Sequence, residues 1–120
     1  MALNRNTMGW PRAVVIASFC LAFPALASAQ DAKAVTGEKV FTDQKCTLCH
    51  SVGGHGNPKG PLDDVGSKLT ADEIRQWITD AKGMSAKTKA PRKPEMKQFN
   101  LPKDDVDALV AYLQTLKKRK

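Results

Sequence analysis

Cys46 and Cys49 stand two residues apart and a histidine comes at once after them, in Cys46-Thr47-Leu48-Cys49-His50. Two residues between the thiols let one turn of chain present both sulfurs to the same side, with an imidazole beside them. This is the haem c attachment pattern: both thiols form thioethers to the vinyl groups of one porphyrin, and the adjacent imidazole ligates the iron. Two other uses of such a pair fit less well. A thioredoxin-like redox pair needs a βαβ pattern, which the sequence lacks. A tetrahedral zinc site needs two more ligands, and His50 and His55 are the only histidines, five residues apart beside a Gly-rich stretch.

The chain has 120 residues, 19 Lys+Arg against 12 Asp+Glu, and three cysteines, which bounds it to one small domain and excludes a multidomain enzyme. Its front reads as a secretion signal over residues 1–29. Arg5 and Arg12 form a basic lead, Ala13 to Leu26 is almost wholly apolar, and Ala27-Ser28-Ala29 supplies the small-x-small cleavage pattern. The apolar run has 14 residues with Pro24 inside it, shorter than the about 20 that a membrane helix needs. No stable membrane insertion is therefore expected after cleavage. Phe19 before Cys20 lacks the small side chain that lipoprotein processing wants, so Cys20 leaves with the signal.

Cleavage leaves residues 30–120, a 91-residue domain of net charge +5 whose aromatics are Phe41, Trp77, Phe99 and Tyr112. A chain of that size buries a thin core and commonly needs a disulfide, metal or cofactor to complete it. A Cys46–Cys49 bridge closes too small a loop to constrain the unfolded chain much. A large apolar cofactor would supply what is missing.

Three helices are expected. Ala34, Gly37 and Phe41 share one side of a helix-compatible stretch from Asp31 to Lys45. From Ser51 to Gly66 seven glycines and prolines, beginning at Gly53, then make a long loop. Thr70-Ala71-Asp72-Glu73 fits a capping box, and Ile74, Trp77, Ile78 and Ala81 share one helical face, with Gly83 ending the helix. Lys82 to Lys103 reads as a loop of net +6, in which Pro91, Pro94 and Pro102 exclude a continuous helix. Pro102 opens the last helix, Asp104, Asp105 and Asp107 complement its positive end, and Val106, Leu109, Val110, Leu113 and Leu116 form its apolar stripe up to Lys117-Lys118-Arg119-Lys120. No β pattern or repeat is visible, so the class is all-α. A long structureless loop in so small a domain makes sense where it wraps something.

With these elements in this order, residues 30–120 resemble a class I, single-haem cytochrome c over essentially their whole length. The likeness is carried by Gly37 and Phe41 before the haem motif and Gly60-Pro61-Leu62 after it. It continues in a methionine within a Pro-bearing loop and in Asp107-Ala108-Leu109-Val110-Ala111-Tyr112-Leu113 in the last helix. The resemblance implies the cytochrome c fold, three main helices and loops wrapped around one covalently bound haem c. The first and last helices would cross, pairing Gly37 and Phe41 with Leu109 and Tyr112. The carbonyl of Pro61 would accept the Nδ1 proton of His50, orienting the ring and raising its basicity. His50 and Met96 would be the metal ligands: Met96 lies 46 residues after His50 in Pro94-Glu95-Met96-Lys97-Gln98-Phe99, which is similar to the family's distal-ligand segment. Met84, just after the Trp77 helix, is the alternative, with packing as its simpler role. His55 is too near His50 to reach the opposite haem face. Trp77 reads as core, although in this family such an aromatic can lie against the porphyrin or bond a propionate.

The function this implies is that of a soluble periplasmic electron carrier cycling Fe(II)/Fe(III), with no catalytic residues and no substrate turnover. The alternatives are an electron-accepting haem subunit of a periplasmic dehydrogenase or oxidase, and a five-coordinate haem peroxidase or gas sensor, which the well-placed methionine opposes. The basic loop suits redox partners with an acidic docking surface. Export and the lack of aromatics among the lysines before Phe99 argue against nucleic acid.

Overall fold

The computed structural model describes residues 25–118. The secretion signal read over residues 1–29 therefore falls mostly outside the described residues, as do Arg119 and Lys120. Helix α1 spans Ala25–Asp43 and runs through the expected cleavage site. Helix α5, Lys103–Thr115, packs across it, and the two form the centre of the fold. Gly37 makes the crossing possible: a Cβ there would fall on the backbone carbonyl of Ala108 and against Tyr112. The rings of Phe41 and Tyr112 meet at 5.7 Å between centroids, tilted by 58°, a favourable edge-to-face range. Val40, Phe41, Ile74, Ile78, Val106, Leu109, Val110 and Leu113 are the buried core. Most of these positions are read from helical periodicity.

Lys45 adopts the left-handed conformation (φ 56°) and turns the chain out of α1 into a 3₁₀ turn, Cys46–Leu48. The Gly-rich stretch beyond it is not the structureless loop expected from its breakers. Ser51–Val52 (β1) and His55–Gly56 (β2) pair antiparallel around Gly53-Gly54. Both glycines have positive φ, 57° and 81°, as the tightest two-residue hairpin turn requires. A hairpin of two residues per strand is too short to leave an alternating pattern. Val65–Lys68 forms a single helical turn, α2, and Ala71–Thr79 forms α3. The capping box holds: Glu73 N donates to Thr70 Oγ1 at 3.2 Å, and Thr70 N donates to Glu73 Oε2 at 2.8 Å.

The basic segment needs a larger correction. Ala81–Thr88 is a helix, α4, and Gly83 lies inside it rather than ending α3. Asp80 breaks the line between the two helices (φ −142°, ψ 55°) and its carboxylate accepts from Gly83 N at 3.1 Å, starting the new helix. A Cβ on Gly83 would strike that carboxylate. The prolines exclude helix only from Pro91 onward, and residues 90–102 carry no regular element.

Candidate functional site

The backbone of the Cys46–His50 pentapeptide closes on itself. Cys49 N donates to Cys46 O at 3.1 Å and His50 N donates to the same oxygen at 2.9 Å, so one turn brings both thiols and the imidazole to the wall of one cavity of about 500 Å³. That volume is in the range of small-molecule and cofactor sites. The lining is predominantly apolar and comes from every helix, including Phe41, Leu62, Val65, Ile74, Ile78, Phe99, Leu109 and Leu113. Pro61 and Met96 also line it, so all five residues singled out from the sequence share one cavity.

The orientation of His50 departs from expectation. Its Nδ1 stands 3.2 Å from the carbonyl oxygen of Gly60, not that of Pro61. The cause is a bridge between Ser51 and Pro61: Ser51 N donates to Gly60 O at 3.0 Å, and Leu62 N donates to Ser51 O at 2.9 Å. Successive carbonyls of extended chain point to opposite sides, so the bridge that turns Gly60 O toward His50 turns Pro61 O away. Pro61 keeps a place in the cavity wall. Burial holds the His50 imidazole below its ordinary pKa, and the nearby Arg92 acts in the same direction against the opposing Gly60 bond. Burial thus favours the neutral ring, the form in which a nitrogen can ligate a metal. Burial pushes the Cys46 thiol up.

The two methionines separate clearly. Met96 is half-buried on the cavity wall. Met84 is 5% exposed on α4 and does not line the cavity. Trp77 does not sit in the closed core; it is half-buried and faces the cavity. His55 lies exposed on β2, outside the cavity lining.

Three contributors are not legible from the motif. Asn57 N donates to Thr47 O and His50 O, and its side-chain amide donates to Leu48 O at 3.1 Å, so one residue clamps three carbonyls of the pentapeptide. Gly56 (φ 103°) lets the hairpin pass beneath, since a Cβ there would collide with His50 O. Arg92 donates to Cys49 O at 2.5 Å from 43 residues away. Only Gly56 leaves a signal, as one of the loop glycines.

The residues fit a porphyrin held through two thiols, an imidazole nitrogen and a thioether: an apolar cavity of sufficient volume with all four groups on its wall. Among the described residues no set of three or more His, Cys, Asp or Glu is arranged to hold a metal ion, and no helix is long and apolar enough to cross a membrane. The model of the family Cytochrome c matches residues 34–117. A protein named Cytochrome c oxidase subunit 2 from Alkalihalophilus pseudofirmus is 30% identical over 90 residues, covering 68% of this chain and 25% of that protein. The chain thus corresponds to about a quarter of that relative's length. No solved structure gives a significant match.

Proposed function

Because the chain belongs to the cytochrome c family, whose domain implies haem-based electron transfer, we propose that it is a soluble periplasmic electron carrier holding one haem c. Cys46 and Cys49 would be the attachment sites, and His50 and Met96 the axial ligands. The single observation that carries this reading is the convergence of those four side chains on one apolar cavity. The bound haem would supply a reversible one-electron Fe(II)/Fe(III) couple.

The chain's own part is to hold geometry and exclude water. Gly60 O fixes the ring of His50 through Nδ1, which leaves Nε2 as the free nitrogen. Asn57 fixes the peptide that bears the thiols. The apolar wall keeps the local dielectric low, and a thioether ligand favours the reduced state. Cleavage after Ala29 would release residues 30–120. The lysines between Lys82 and Lys103 would attract acidic redox partners.

A second reading is favoured by the relative named Cytochrome c oxidase subunit 2: a haem domain that accepts electrons inside a larger oxidase. Stoichiometric copurification with a terminal oxidase would mark it, and a monomer exchanging electrons in solution marks the carrier.

The axial assignment is tested in the oxidised protein by the weak near-infrared sulfur-to-iron band. Wild type and Met84→Ala should show it and Met96→Ala should lose it. A band that survives in Met96→Ala and vanishes in Met84→Ala overturns the assignment, and a wild type that lacks it and binds carbon monoxide readily supports the five-coordinate reading.

A further inference from the structure

Residues 91–98, which carry Met96, have no helix or strand of their own. At their ends Ala90 N donates to Ser85 O and Phe99 N donates to Ile78 O. Between those anchors, among the described residues, one hydrogen bond ties the segment to the rest of the chain: Arg92 Nη2 to Cys49 O, 2.5 Å. The other side-chain bond there, Lys93 to Glu95, is internal to the segment.

Arg92 is half-buried on the cavity wall, and among the described residues no carboxylate comes within ion-pair distance of it. An arginine used only for solubility would extend into water. This one lies against Gly60: a Cβ on Gly60 would overlap Arg92 Nη1 and the Cys49 carbonyl. Gly60 therefore does two things, offering its oxygen to His50 and leaving room for the guanidinium. His50, Gly60, Arg92 and Cys49 form one continuous set of contacts, and Met96 lies four residues beyond its arginine member.

We infer that Arg92 is a positioning residue that pins the Met96 segment to the thiol-bearing peptide, so that the distal ligand is held by the proximal side of the site. The inference deepens the proposed function and rests on its assignment of Met96. A planar guanidinium suits the task, since one fork nitrogen bonds the carbonyl while the other lies beside Gly60. A hydrogen bond from a charged donor contributes on a scale that corresponds to roughly tenfold or more in an equilibrium constant.

The test uses imidazole, a small external ligand that competes with Met96, titrated into the oxidised haem-loaded protein while the near-infrared band is followed. Arg92→Gln should keep the band and bind imidazole roughly tenfold or more tightly than wild type, because the methionine segment leaves more easily. Arg92→Lys, with its charge and a single donor group retained, should fall between them. Lys87→Gln, which removes an exposed charge from α4, should match wild type. An arginine serving only general stability would lower the unfolding midpoint without moving the imidazole affinity. Equal affinities for Arg92→Gln and wild type, or an equal rise in Lys87→Gln, overturn the inference. Where Arg92→Gln yields no haem-loaded protein, Arg92→Lys decides: a measurable rise supports the inference and no rise overturns it. A wild type without the band overturns the Met96 assignment itself, which separates the two failures.

Discussion

At Asp107 one carboxylate takes two partners, Lys103 from the same helix and Arg75 from α3, each at 2.5 Å. The hydrogen bond from Lys103, and then that from Arg75, lowers its pKa from 3.8 to about 2. A carboxyl group whose pKa falls on folding adds stability above its unfolded value, and that stability is lost as pH falls through the folded value. The window here runs from about pH 4 down to about pH 2. Asp107→Asn should therefore be less stable than wild type near neutral pH, with the gap narrowing through that window and closing at its acid end, in denaturant unfolding across a pH series. A gap independent of pH would show that the carboxylate's charge contributes nothing. Sequence spacing exposes half of this arrangement, since Lys103 and Asp107 are four apart on one helix face. Arg75 is invisible to it, because its approach depends on how α3 docks against α5. The acceptor of His50 escapes for a similar reason: a motif names the residue that needs a partner, while a strand bridge chooses which of two neighbouring carbonyls supplies it.

The crossing of α1 and α5 is where helix propensity and packing disagree. Replacing a helical glycine by alanine at an exposed position gains about 1 kcal/mol. At Gly37 the added Cβ would meet the Ala108 carbonyl, a backbone group that cannot rotate aside, and overpacking costs about 1–3 kcal/mol. Packing should win: Gly37→Ala is expected to lose at least about 1 kcal/mol in denaturant unfolding, and equal or greater stability would contradict the close crossing. Elements with strong periodicity or a named cap are readable before folding, as α5 and the Thr70-Glu73 box show. Helix α4 is not, because its start depends on the conformation of Asp80 and its glycine and lysines give no apolar stripe. The β1–β2 hairpin escapes because the glycines that make its turn also look like a loop.

The cavity is a property of the whole molecule. Its walls come from segments as distant as Phe41 and Leu113, so no local pattern describes it. A mismatch of scale nevertheless announces it, a small chain with few large apolar residues and a Cys-x-x-Cys-His motif of the haem-attachment pattern. The charge of the whole molecule bears on partners. The segment from Lys82 to Lys103 carries net +6 and includes cavity-lining residues. Steering of an acidic partner raises the encounter rate and fades as salt screens it. The second-order rate of electron transfer to the native acceptor should fall with ionic strength, and should be lower at low salt when Lys87, Lys89 and Lys93 are changed to Glu. A flat salt profile in both proteins contradicts steering. Covalent attachment of the haem underlies every role proposed for these residues, and it is read from the intact mass of the denatured protein after purification from a host that exports it. The expected mass is that of residues 30–120 plus one haem, with the colour retained on the chain through acid–acetone extraction and no free thiol at Cys46 or Cys49. A colourless chain at its bare mass with two free thiols would contradict it.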